Sequence, residues 1–134
     1  MKFEEYKERE LPAARIGSEE LYVVCLCAAW CGVCRQYEVE FNAVQAQFPH
    51  IQFAWLDVED QECVLGDIDV ETFPTLLVGS KSGPMFLGPL LPQIKVLERL
   101  LLALQAAPQA ASTLPLEAKP LWGRVVAQWH SLKR

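Results

Sequence analysis

The junction at residues 21–35 constrains this chain more than any other feature. There the apolar run Leu21-Tyr22-Val23-Val24-Cys25-Leu26-Cys27 gives way to Ala28-Ala29-Trp30-Cys31-Gly32-Val33-Cys34-Arg35. The run is rich in strand-forming residues and has no polar face, as a strand covered on both sides requires. From Cys34 onward Tyr37, Phe41, Val44 and Phe48 recur at helical spacing until Pro49 stops the pattern. A Cys-x-x-Cys at such a strand-to-helix junction puts its first sulfur at the helix N-terminus, where unpaired N–H groups and the helix dipole stabilise a thiolate. Cys31 is therefore the candidate nucleophile. Cys34, one turn into the helix on the same side, is the candidate resolving thiol, placed to attack a mixed disulfide formed at Cys31. Gly32 leaves room for a partner backbone, and Trp30 offers a flat surface beside the reactive sulfur. Both suit a protein substrate.

The rest of the chain reads as an α/β domain. Ile51 to Val58 predicts a second strand, followed by a short acidic helical stretch around Asp60 to Gly66. The order strand, helix, strand implies a parallel pair joined by a right-handed crossover. Thr75–Gly79 and Met85–Leu87, joined by the turn-rich Ser80-Lys81-Ser82-Gly83-Pro84, predict an antiparallel hairpin and hence a mixed sheet. Leu90, Ile94, Leu97, Leu101 and Leu104 form one helical stripe, which Val96, Leu100, Ala103 and Ala107 widen beyond what one sheet face covers. A further element is expected against that helix. The candidate is an amphipathic helix over 121–134, with Leu121, Trp122, Val125, Val126, Trp129 and Leu132 at helical spacing after an Ala/Pro-rich connector at 107–120. Packing against the domain's own last helix is the simplest use of its apolar face, ahead of an oligomer contact or an anionic membrane.

Composition narrows the function. A chain of 134 residues that is 51% hydrophobic builds one compact domain. A net charge of -5 argues against nucleic acid as a partner, because such binding rests on neutralising phosphates. No apolar run reaches the about 18–20 residues that span a bilayer. The charged stretch Met1 to Glu10 lacks the apolar region of a secretory signal, so a cytoplasmic location is expected. In a reducing compartment five cysteines point to catalysis or metal binding rather than to a static disulfide framework. A zinc site from Cys25, Cys27, Cys31 and Cys34 has no ordinary ligand spacing, so no metal is expected. Cys25 and Cys27 read most simply as small core residues, Cys63 as an unremarkable surface or half-buried thiol, and Trp55 as core. His50 and His130 stand apart from any ligand cluster and receive no role.

The segment Ala29-Trp30-Cys31-Gly32-Val33-Cys34-Arg35, with Phe73-Pro74-Thr75 farther on, resembles the thioredoxin family, and the match in element order covers residues 1–106. The resemblance implies a thioredoxin fold: a central mixed β-sheet flanked by helices, here with an extra C-terminal helix. It implies exchange of disulfides with protein substrates, a redox-active Cys31–Cys34 disulfide in place of a cofactor, and a thiol reductase as electron donor. By the same resemblance Pro74 is a cis-proline facing the cysteines, and Phe73 lines the groove for an extended substrate segment that pairs as an added strand. Trp30, Gly32, Val33, Phe73 and Pro74 are thus the expected substrate-binding residues. The alternative is a non-enzymatic binding module on the same fold, which fold alone does not distinguish.

Three positions depart from the family pattern. Val33 replaces the proline usual between the cysteines of reducing members, and this dipeptide tunes the thiolate. Cys25 stands where a buried acid is usual and Trp55 where a lysine often lies. Burial keeps a thiol protonated, so Cys25 is no substitute proton acceptor, and slower activation of Cys34 is expected. Cys27 replaces a common aromatic residue and shares Cys25's face of the strand.

Overall fold

The computed structural model describes residues 20–66, 68, 70–106 and 114–134. Strand β1 (Tyr22–Cys27) runs into helix α1 (Gly32–Val44), and a single 3-10 turn at Gln45–Gln47 closes that helix before Pro49. Strand β2 (Gln52–Asp57), the short helix α2 (Glu62–Leu65), the hairpin β3 (Thr75–Ser80) and β4 (Gly83–Pro89), and helices α3 (Ile94–Ala106), α4 (Ala118–Ala127) and α5 (Trp129–Leu132) follow.

The four strands form one mixed sheet in the order β2-β1-β3-β4. β1 and β2 are parallel, with Cys27 opposite Asp57, and β1 and β3 are antiparallel, with Leu26 opposite Thr75. The β3–β4 turn closes on Gly83 at φ +133°, a conformation that residues bearing a Cβ rarely adopt.

Alternation along β1 explains its uninterrupted apolarity, because successive side chains enter two separate cores. Val23, Cys25 and Cys27 face Cys34, Tyr37, Phe41, Leu97 and Leu101 from α1 and α3. Val24 and Leu26 face the other way, joining Ala54, Leu56 and Leu77 with Leu121, Trp122, Val125 and Leu132. Burying each such Leu or Val contributes about 1.5–3 kcal/mol of transfer free energy, so neither face can be left open.

The C-terminal segment departs from expectation in three ways. Its helix begins at Ala118 rather than 121 and breaks at Gln128, leaving α5 as a separate turn. Pro120 lies in the first turn of α4, where a missing N–H costs no hydrogen bond. The segment packs on its own domain, but against the sheet face opposite α3, because Val24, Leu26, Ala54, Leu56 and Leu77 would otherwise be exposed there. Part of the expected connector, residues 107–113, and residues 1–19 lie outside the described residues.

Arg124 ties α4 to α2 by donating from Nε to the carbonyl of Val64 at 2.6 Å and from Nη2 to that of Leu65 at 2.9 Å. It thereby supplies donors to carbonyls at the C-terminal end of α2, where helical N–H partners run out. After α5 the chain extends along the outer edge of β2, where Lys133 bridges Ala54 and the Arg134 N–H donates to the Phe53 carbonyl at 2.8 Å. An otherwise open sheet edge is thus partly covered.

Candidate active site

The sheet's topology gathers three loops at one end. The ends of the parallel strands β1 and β2 meet the start of the antiparallel β3, so Ala28–Cys31, Val58–Gln61 and Phe73–Pro74 are neighbours. Asp57 organises the first two: one carboxylate oxygen accepts the Ala29 N–H at 3.0 Å, and the other accepts those of Glu59 and Asp60 at 2.9 and 3.1 Å. Trp30 donates from Nε1 to Glu59 at 2.9 Å and meets Phe73 edge to face at 5.9 Å between ring centroids. These contacts hold a large aromatic surface over the cysteine loop while leaving Trp30 62% exposed. The Phe73–Pro74 peptide bond is cis, as the resemblance implies, and the Pro74 carbonyl accepts the Leu90 N–H at 3.1 Å.

Cys31 is the N-cap of α1, extended at φ -84° and ψ 123°, half-exposed and free. Its carbonyl accepts the Arg35 N–H at 3.1 Å, closing the first turn that contains Cys34. Cys34 is 1% exposed and points into the core. In this structure the disulfide joins Cys34 to Cys27, with Cα atoms 5.8 Å apart, and Cys31, the expected partner of Cys34, is a free thiol. The reason is directional. Cys27 ends β1 on the inward face and Cys34 descends onto that face, whereas Cys31 sits where the chain is still at the surface. Cys27 is accordingly not the simple core residue its position suggested. Cys25 is buried and free, and burial pushes its thiol well above the ordinary range, with the Glu38 carboxylate adding to the effect and Arg134 opposing it. Cys63 is free and exposed.

The remaining expected site residues are Gly32 and Val33, which follow Cys31 in the chain, and Phe73 and Pro74, of which Phe73 meets Trp30. Gly32 and Val33 are exposed, Phe73 is half-buried and Pro74 is buried. Among the described residues no cluster of His, Cys, Asp and Glu is arranged to hold a metal ion.

Several groups at the site were not singled out from the sequence. Beneath the loop lies a cavity of about 320 Å³ whose lining includes Ala28, Cys34, Glu38, Trp55, Asp57 and Arg134. Glu38 and Arg134 form an ion pair at 2.6 Å, and the guanidinium lies 5.3 Å from the centre of the Trp55 ring. Glu38 was findable, since it follows Cys34 by one helical turn. Arg134 carried no local signal, because it reaches the site from the opposite end of the chain.

A family model described as Thioredoxin matches residues 5–86, which include Cys31, Cys34 and the Phe73–Pro74 turn. The chain is 31% identical over 75 residues to the thioredoxin of Mus musculus, covering 56% of this chain and 71% of that protein. It is 37% identical over 68 residues to the thioredoxin of Gallus gallus, covering 51% and 62% respectively. Among solved structures, a thioredoxin of Fasciola hepatica superposes with a TM-score of 0.57 at 22% identity, over 66% of this chain and 85% of that one. A thioredoxin of Nicotiana alata superposes with a TM-score of 0.56 at 27% identity, over 63% and 73%.

Proposed function

The chain belongs to the thioredoxin family and is a disulfide oxidoreductase, and from that premise we propose that Cys31 attacks protein disulfides while Cys34 resolves the resulting mixed disulfide. The observation that carries this reading is the position of Cys31: a half-exposed sulfur-bearing N-cap of a thirteen-residue helix, flanked by the exposed Trp30 and Val33. The helix N-terminus favours the thiolate that exchange needs. Cys34, behind it in the first turn, is shielded from solvent and so acts on a sulfur already bonded to Cys31 rather than on free substrate.

In the reducing direction the Cys31 thiolate bonds to one substrate sulfur and expels the other, which leaves as a thiol. Cys34 then bonds to Cys31 and releases the second substrate thiol, so one substrate disulfide gains the two electrons that the enzyme dithiol loses. A thiol reductase in a reducing, cytoplasmic setting returns those electrons. Protein substrates suit the surface around Cys31. Trp30 and Phe73 provide an apolar contact, Gly32 and Val33 leave the sulfur open, and the cis Pro74 turn presents backbone to an extended segment. Asp57 and Glu59 position this surface through the Ala29 and Trp30 hydrogen bonds.

The test is insulin reduction with dithiothreitol as donor. The wild type turns over, Cys31→Ser does not, and Cys34→Ala accumulates covalent mixed disulfides. Absence of insulin reduction by the wild type, with Cys31 no more reactive than Cys63 toward iodoacetamide at neutral pH, overturns the proposal.

A further inference from the structure

We propose that Cys27 is a third redox cysteine, which trades places with Cys31 as the partner of Cys34 and so stores the active-site disulfide beneath the surface. The inference rests on the reading of Cys31 and Cys34 as the exchanging pair and adds a second disulfide state to it.

Three observations converge. The structure holds the Cys27–Cys34 disulfide while Cys31 is a free thiol beside it. The bonded sulfurs belong to residues 0% and 1% exposed, whereas Cys31 is half-exposed, so among these three only Cys31 is open to an outside reactant. Cys34 is shared: it lies in the helical turn that Cys31 opens, and positions three apart on a helix are neighbours at about 5–6 Å between Cβ atoms. Cys34 therefore stands between an inner and an outer partner. The inner partner is not interchangeable with Cys25, which the structure leaves unbonded with its thiol held protonated by burial.

The step linking the two states is an internal exchange. The Cys31 thiolate attacks Cys34 Sγ, the Cys31–Cys34 bond forms as the Cys27–Cys34 bond breaks, and the electron pair passes to Cys27 Sγ. Cys27 then takes up a proton equivalent to the one Cys31 gave up. No electrons are gained or lost overall, so no outside oxidant or reductant is required. Expelling charge onto a fully buried sulfur is costly, which makes release of the inner disulfide the slow direction. In the reverse step, where Cys34 becomes bonded to Cys27 and Cys31 leaves, the departing charge is at the helix N-terminus, where it is favoured. The Ala28 N–H donates to Cys34 Sγ at 3.4 Å while that sulfur is bonded to Cys27. The inner state thus withholds Cys34 from resolution and leaves Cys31 without its resolving partner.

The test uses the unmodified protein. It is oxidised to one disulfide per molecule, quenched in acid, denatured, and its free thiols blocked with iodoacetamide. After reduction the released thiols are labelled with N-ethylmaleimide, and tandem mass spectrometry locates both labels. Cys27 and Cys34 protected in the same molecules, alone or alongside a Cys31–Cys34 population, is the expected result. Cys27 blocked by iodoacetamide in every molecule, or protected without Cys34, overturns the inference.

Kinetics supply the second arm. In Cys31→Ser the inner disulfide still forms, but dithiothreitol reduces it more slowly than in wild type by about tenfold or more, because the neighbouring thiolate and its high effective concentration are gone. An equal or faster rate overturns the inference. The wild type separates the two readings: insulin reduction with Cys27 unprotected in every molecule overturns only the third-cysteine inference, whereas no insulin reduction, with Cys31 no more reactive than Cys63, overturns the assignment of Cys31 and Cys34 as the exchanging pair.

Discussion

Replacing Trp122 by alanine removes the largest side chain that α4 places on the sheet. The indole is 7% exposed, its ring edge lies over Gly79 of β3, and Tyr22 of β1 meets it edge to face at 6.3 Å. Buried Trp-to-Ala changes cost about 3–5 kcal/mol, the sum of lost transfer energy and the void left behind. The lower end applies here. A cavity of about 340 Å³ lined by Tyr22, Trp122, Val126 and Trp129 already borders the ring, so neighbours can relax or water can enter. A loss of about 3 kcal/mol is a large share of the about 5–15 kcal/mol that stabilises a domain, and lowers the melting temperature by about 10 °C. Urea unfolding followed by far-ultraviolet circular dichroism reads it as a lower midpoint at unchanged slope. Insulin turnover of the folded variant stays at the wild-type level, since α4 and Cys31 lie on opposite faces of the sheet. A stability loss below about 1 kcal/mol would mean that α4 is not seated on β1 and β3 as described, and the account of the second core would fail.

Gly79→Ala tests the same contact from the other side: its Cβ would come 2.7 Å from the Trp122 ring and 2.8 Å from the Gly83 carbonyl, so urea unfolding should show a loss of about 1–3 kcal/mol, partly relieved when combined with Trp122→Ala. Above the ordinary thiol value of 9.0 the unfolded chain loses the Cys25 proton while the native state keeps it. Stability is therefore full below that pH and falls above it by up to about 1.4 kcal/mol per pH unit for this one group, a slope that pH-dependent unfolding of Cys25→Ala should lack. Tyr37, also raised chiefly by burial, adds a similar fall above its ordinary value of 10.0. The Glu38–Arg134 pair is about one-third exposed on each side, so a double-mutant cycle with Glu38→Gln and Arg134→Ala should give a coupling of about 1 kcal/mol or less that shrinks with added salt.

Much of this architecture was legible because it is written locally. The continuous apolarity of 21–27 required a doubly covered strand, and the structure shows why, with alternate side chains feeding two cores. The Cys-Gly-Val-Cys junction and the Phe-Pro-Thr turn marked the family and the end of the sheet where the site lies. The hairpin was readable from its turn residues, and the β1–β2 crossover from the order of its elements.

What stayed hidden depends on direction in space. Periodicity showed that the last segment has an apolar face but not which surface it meets. The breadth of the stripe on α3 suggested that helix, whereas the uncovered second sheet face took it. Spacing likewise marked Cys31 and Cys34 as a dithiol without showing that Cys27, at the end of a strand, turns its sulfur toward the same point as Cys34. The sequence by itself determined the fold family, the candidate cysteine loop and the disulfide-oxidoreductase class, because these follow from residue types at short separation. Only the tertiary structure decided that Cys27 lies within bonding reach of Cys34, which face the terminal helix covers and that Arg134 borders the site, because each is a meeting of elements whose relative placement arises from packing the whole chain.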